Sequence, residues 1–222
     1  MLAVSQLATT ISVNTNETAT ATNLTWYPTN APIYIFTNVS EYAYTYPQYK
    51  AANIQDKNIT GIKCESNAVT LIDFGPALTN DSISIEVYRC TNLTLVTGSS
   101  PITIPSTSSL FKFLYNDSLT NITLTNMTMT GCSFDASFCP ALTTVNLPNW
   151  LPESENQDGA VDLRSCALTA ATVNHILARC VAADNFLENE VYLDGGTSAS
   201  PTGQGITDKS TLEADDNIIH VN

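Results

Sequence analysis

Val161, Leu163, Cys166 and Leu168 stand on the spacing L-x-L-x-x-[N/C]-x-L, and an apolar stripe at Val173, Ile176, Leu177, Cys180 and Val181 follows directly. Alternate apolar residues turn one face of a strand into a core, and positions i, i+3, i+4, i+7 and i+8 do the same for a helix. The chain is therefore committed to strand and then helix, with Thr169 the expected N-cap and Asp184 and Asn185 the expected helix end. Val191 and Leu193 resume the alternation, and Asp194-Gly195-Gly196 stops it. After the loop to Gly205, Thr207 is the expected cap of a short helix around Leu212, and Ile218, Ile219 and Val221 form an edge strand. Residues 159–222 thus read as one unit of strand, helix, strand, glycine loop, helix and strand.

Looser copies precede this unit. Ile59, Ile62, Cys64, Asn67 and Val69 fit the longer form L-x-x-L-x-L-x-x-[N/C]-x-L at every position, with Cys64 in an apolar slot. Leu119, Ile122, Leu124, Met127 and Met129 fit with Met127 in the polar slot; Leu142, Val145 and Leu147 begin another copy with Trp150 there; Val87 and Cys90 keep part of it. The step from Ile62 to Ile85 equals that from Ile122 to Val145, whereas Val145 to Val161 is shorter and Val161 to Val191 longer, so the period is irregular. A strand of this kind cannot bury its apolar face alone, but copies stacked side by side share a continuous parallel core. An antiparallel sandwich with turns at similar spacing would alternate in the same way. Pro101, Pro105, Pro140, Pro148 and Pro152 fall outside the strand centres, where a missing N–H breaks no ladder.

Before residue 56 the character changes. Residues 1–22 are rich in Thr, Ala, Ser and Asn without lasting periodicity, and residues 26–49 hold eight of the eighteen aromatic residues. Trp26, Tyr27, Tyr34, Phe36, Tyr42, Tyr44 and Tyr46 are candidates for docking a partner, since aromatic rings bring large area at low entropy cost. Alternation at Tyr42, Tyr44 and Tyr46 places three rings on one strand face, which a half-buried strand also explains. Residues 1–55 are read as an attachment and oligomerisation arm that obtains its burial from neighbours.

Charge and chemistry narrow the function. Twenty-one acidic against eight basic residues give −13, and the part after Trp150, with twelve acids and three bases, carries −9 of it. Such a surface repels phosphate, so neither nucleic acid nor an anionic membrane is an expected partner. No apolar run is long enough to cross a bilayer, and Met1 to Ser5 lacks the basic and apolar stretches of a secretory leader. The Asn-x-Ser/Thr triplets are accordingly expected to be unglycosylated. Cys64, Cys90, Cys132, Cys139, Cys166 and Cys180 include no C-x-x-C pair and no histidine at ligand spacing, so no metal or cofactor is expected, and Cys166 and Cys180 read as small reduced hydrophobes. His175 lies off the helix stripe and reads as solvated; Glu153, Glu155 and Asp158 read as an acidic turn rather than a carboxylate pair. Gly203-Gln204-Gly205 lacks the G-K-[S/T] of a phosphate loop. An enzyme is not expected.

The run Val161 to Leu168, the helix with Val173-Asn174-His175-Ile176-Leu177, Leu193 to Thr197, Pro201 to Gly205 and Lys209 to Glu213 together resemble the terminal module of BspA-like leucine-rich-repeat surface proteins, which recur in gut bacteria and their bacteriophages. The resemblance covers about 60 residues; the irregular period and Asp158, where a leucine would precede Val161, depart from it. It implies a mainly β fold with short helices, α/β at the C-terminus: a short irregular leucine-rich-repeat-like solenoid over 56–222 with a cap at 159–222, behind the 1–55 arm. It also implies a structural virion component, a tail or head fibre that meets other virion proteins, assembles as a homotrimer and presents Asp194, Gly195, Gly196, Gly203, Gln204 and Gly205 to a host-surface glycan or protein. A capsid decoration or adaptor protein, and a bacterial surface adhesin, are the alternatives.

Overall fold

A computed structural model of the chain describes residues 84–98, 101–104, 109–152 and 161–222, and before them the short paired strands given next. These are β1 (Ile11–Thr15), β2 (Pro32–Ile33), β3 (Ile35–Thr37), β4 (Ser40–Tyr42), β5 (Tyr44–Thr45), β6 (Ile59–Cys64) and β7 (Leu71–Asp73). Then come β8 (Ser84–Tyr88), β9 (Leu95–Thr97), β10 (Ile102–Ile104), β11 (Ser109–Leu114), β12 (Asn121–Thr123), β13 (Met127–Thr130), β14 (Cys132–Asp135), β15 (Thr144–Asn146), β16 (Trp150–Leu151) and β17 (Val161–Asp162). The chain continues through α1 (Ala170–Val181), β18 (Glu190–Tyr192), α2 (Gln204–Ala214) and β19 (Ile218–His220).

From β6 onward every pairing between these later strands is parallel, which sets aside the antiparallel sandwich. The large sheet runs β6-β8-β11-β14-β17-β18-β19, a four-stranded sheet runs β7-β9-β12-β15, and a three-stranded one runs β10-β13-β16. From β8 on, strands recur in that order along the chain, large sheet, four-stranded, three-stranded, until helices take over after β17. Before β6 the strands are mostly antiparallel, and β1 and β3 both pair with β6 in the large sheet.

This order explains the irregular period. Ile62, Ile85, Phe111, Phe134, Val161, Val191 and Ile219 are register partners across the large sheet, and the step between partners is widest from Val161 to Val191, where α1 is inserted. Ile122 and Val145 are partners too, but in the four-stranded sheet, so the short step from Val145 to Val161 joins strands of different sheets. Met127 and Trp150 likewise belong to the three-stranded sheet rather than to a polar slot; both are fully buried, and the Trp150 indole N–H donates to the Cys132 carbonyl at 2.9 Å.

The polar slot itself is Cys90, Asn116, Cys139 and Cys166, one step behind β8, β11, β14 and β17. Asn116 Oδ1 accepts the Cys90 N–H at 2.8 Å and its Nδ2 donates to the Val87 carbonyl at 3.2 Å; the Cys139 and Cys166 thiols donate to Phe113 and Ala136 carbonyls at 3.0 and 3.2 Å. Burial pushes both of these thiols up to about 12, so they stay protonated donors. Alternation of buried and half-buried positions, as along β11, turns Ile85, Val87, Phe111, Phe113, Phe134, Val161, Leu163, Val191 and Leu193 inward.

In the C-terminal unit Thr169 caps α1, its hydroxyl accepting the Thr172 N–H at 3.2 Å. Val173, Ile176, Leu177 and Cys180 are fully buried as their spacing requires. Val181 is exposed, and the helix stops there with Ala182 as C-cap, short of Asp184 and Asn185. The second helix begins ahead of the expected Thr207 cap, with Gly203 in the cap position. The cause lies in α1: Asn174 Oδ1 accepts the Thr202 N–H at 3.0 Å and its Nδ2 donates to the Thr202 hydroxyl at 3.1 Å, which fixes the turn that α2 leaves. No helix among the described residues is long and apolar enough to cross a membrane.

Candidate functional site

Because the strands of the large sheet are in register, outward residues line up in rows. One row reads Glu86, Lys112, Asp135, Asp162, Tyr192 and His220. At its far end the rings of Tyr192 and His220 stack at 4.5 Å and 5°, and the Arg164 guanidinium sits over Tyr192, 3.9 Å from the ring centre. Arg164 also grips Asp162, Nε donating to both carboxylate oxygens at 2.9 and 2.7 Å, with Nη2 at 2.6 Å from Oδ2. That hydrogen bond raises the arginine pKa further above its ordinary value. Burial raises the Asp135 pKa; the Ser137 N–H, donating at 3.0 Å, opposes this, and the neighbouring Asp162 adds to it.

A second row lies just beyond the strand ends. Arg89, Tyr115, Phe138, Ser165 and Gly195 follow β8, β11, β14, β17 and β18 at equivalent register positions, and all five have positive φ, between 51° and 75°. That left-handed conformation is cheap for glycine and costs a bulky side chain roughly 1–2 kcal/mol. Tyr115 and Phe138 nevertheless occupy it and remain 40% and 39% exposed. Their rings stack at 4.8 Å and 4°, Tyr88 meets Tyr115 edge-on at 5.4 Å, and the Arg89 guanidinium covers Tyr88 at 4.7 Å. The result is an exposed aromatic ridge, held rigid by the sheet behind it. Sequence reasoning missed it because its members follow successive strands of the large sheet, far apart along the chain, and only the register brings them together. The signal was an aromatic or arginine directly before three of the four polar-slot residues, Arg89-Cys90, Tyr115-Asn116 and Phe138-Cys139, with Ser165 before Cys166.

The expected receptor-facing loop divides into two places. Gly195 is tied to the C-terminal Asn222, its N–H donating to Oδ1 at 2.9 Å, and a side chain on Gly196 would meet the Cys166 carbonyl at 2.2 Å. Asp194 is half-buried, with its carbonyl accepting the Ser165 N–H at 2.9 Å. Gly203 and Gln204 are exposed at the start of α2, the Gln204 amide donating to Asp208 at 2.8 Å, and Gly205 is buried against Asn174. The first three sit at the end of the second row, and the last three open α2, with Gly205 packed on Asn174 of α1.

Of the docking candidates, Trp26, Tyr27, Tyr34 and Tyr46 lie outside the described residues, as do Glu153, Glu155 and Asp158. Phe36, Tyr42 and Tyr44 lie on strands of which only the backbone is described. Tyr42 ends β4 and Tyr44 opens β5, strands with different partners. His175 is not solvated: it is half-buried, and its Nε2 accepts the Leu147 N–H at 3.0 Å. A cleft of about 180 Å³ between the ends of α1 and α2 is lined by Val181, Phe186, Leu187 and Leu212 together with Asn185, Thr211 and Asp215. No family model matches the chain, and no curated protein or solved structure matches it.

Proposed function

We propose that this chain is a non-enzymatic display module of a bacteriophage virion, a tail or head fibre whose region 56–222 is a short leucine-rich-repeat-like solenoid mounted by the 1–55 arm. The observation that carries the reading is the register itself: residues from successive segments of the chain stand side by side across one parallel sheet, so each turn of sequence adds one more tooth to the exposed rows. Repeats stacked in this way give a rigid support whose outer face is free to diversify, which is how solenoid proteins present binding surfaces. The resemblance of 159–222 to the terminal module of BspA-like surface proteins supplies the class, and homotrimeric assembly follows from that class. The acidic surface, with a net charge of −13, fits a surface that resists non-specific adhesion to anionic polymers.

The test is direct. Mass spectrometry and antibody labelling of purified particles should find the chain on the virion, and an excess of the full-length chain should compete with phage for adsorption to the host. Particles without the chain would overturn the reading. Labelled particles with undiminished adsorption at saturating chain would leave the capsid decoration or adaptor role.

A further inference from the structure

The aromatic row stops halfway. Tyr115 covers one face of Phe138, but the next two positions of the row are Ser165 and Gly195, one with a two-atom side chain and one with none. Neighbouring strands are about 4.8 Å apart, so beyond Phe138 the row falls to a ledge roughly two strand spacings, about 10 Å, long. A single six-membered ring stacked on the second face of Phe138 fits that length. The ledge is bordered by groups of both hydrogen-bonding senses. Arg164, whose carbonyl accepts the Phe138 N–H at 2.9 Å, engages Asp162 through Nε and Nη2 and keeps Nη1 for another acceptor. Asp194 stands one strand further on, and Ser165 supplies a hydroxyl.

We infer that the ledge beside Phe138, between the aromatic ridge and Gly195, is a binding subsite for one uncharged sugar ring of an oligosaccharide. Three observations converge on that class. Among the described residues no ring covers the second face of Phe138, which offers stacking to the C–H face of a sugar, and a side chain held at positive φ keeps 39% of its surface exposed there. Arg164 supplies a donor, Asp194 an acceptor and the Ser165 hydroxyl both senses, as sugar hydroxyl groups require. Asp135, Asp162 and Asp194 all act on Arg164, while Lys112 and Arg89 stand further along the rows, so the negative charge gathered at this end disfavours an anionic sugar. The inference names the ligand class of the face assigned above to display and rests on that reading only for its biological setting.

The full-length chain is applied to immobilised neutral and anionic oligosaccharides, and the best neutral one is then measured by titration calorimetry. Neutral sugars are expected to bind and anionic ones to bind more weakly. Phe138→Asn, which keeps a residue tolerant of positive φ, should weaken binding about tenfold or more without changing the circular dichroism spectrum. Phe138→Trp should retain binding. Ser165→Tyr extends the ridge over the free face, in a backbone conformation that Tyr115 already adopts, and should abolish binding in a folded protein. Absence of neutral-sugar binding, a preference for anionic sugars, or unchanged binding in folded Phe138→Asn and Ser165→Tyr would each overturn the inference. So would a protein partner whose docking, rather than any sugar's, depends on Phe138. The particle assay above reports separately: a chain that binds sugar through Phe138 but is missing from virions loses the virion role and keeps the subsite.

Discussion

Asn116 serves two buried backbone groups at once, the Cys90 N–H and the Val87 carbonyl. Asn116→Ala strands both away from water, and the expected cost is about 1–3 kcal/mol. Asn116→Cys should cost less, since a thiol at the equivalent positions 139 and 166 already donates to the preceding strand; urea denaturation of the two variants ranks them. His175 makes a pH prediction. Burial, and secondarily the Arg179 charge, lower its pKa, while its bond from the Leu147 N–H requires the neutral ring. The unfolded state therefore takes up a proton before the folded state does. The contribution is fully present above the unfolded value of about 6.5 and is lost as pH falls through the lower folded value. The difference in stability between the wild type and His175→Gln, followed from pH 7.5 downward, should narrow once pH passes below about 6.5. A constant difference would contradict the assignment.

At the scale of elements, α1 closes two sheets. Strands β15 and β16 are the last of the four-stranded and three-stranded sheets, and α1 packs on both. Three side chains on one helix face satisfy backbone groups of that end of the fold: Thr172 donates to the Thr143 carbonyl at 2.9 Å, His175 accepts from Leu147, and Arg179 Nε donates to the Trp150 carbonyl at 2.8 Å. An exposed sheet edge is a template for unwanted pairing, and a covering helix removes it. Leu177, fully buried in the core, anchors the helix, and Leu177→Ala should cost about 2–5 kcal/mol by chemical denaturation. Arg179→Met keeps much of the stem packing and deletes the bond to Trp150; hydrogen exchange should then rise first in residues 144–151 rather than in β18 or β19.

At the scale of the molecule, the large sheet couples its strands from β6 to β19 by parallel pairing. Gly196 tests how tightly successive segments are pressed together. An added Cβ would lie 2.2 Å from the Cys166 carbonyl oxygen, a backbone atom, at φ +55°. Gly196→Ala must separate the segments carrying β17 and β18, and it should lower the melting temperature more than Leu177→Ala despite adding only one methyl group; scanning calorimetry compares them. If the chain assembles as the proposed trimer, light scattering on the 222-residue chain should give a mass near three times 23.9 kDa.

The alternation at Val161, Leu163, Val191 and Leu193 and the stripe through Ile176 and Leu177 determined strand, helix and strand in the C-terminal unit, because burial on one face imposes its own period on the sequence. Thr169 marked the start of α1 for the same local reason, a side chain that bonds its own backbone. Positions set by distant partners were not legible. The start of α2 depends on Asn174, remote in sequence from Thr202, and the role of His175 depends on the equally remote Leu147. Which apolar pairs belong to the same sheet required the register, since Ile62 and Ile85 in the large sheet and Ile122 and Val145 in the four-stranded sheet are spaced alike. The exposed aromatic ridge is the extreme case: the recurrence of a bulky residue before the polar slot marks its members, but only parallel pairing of β8, β11 and β14 sets the three rings against one another.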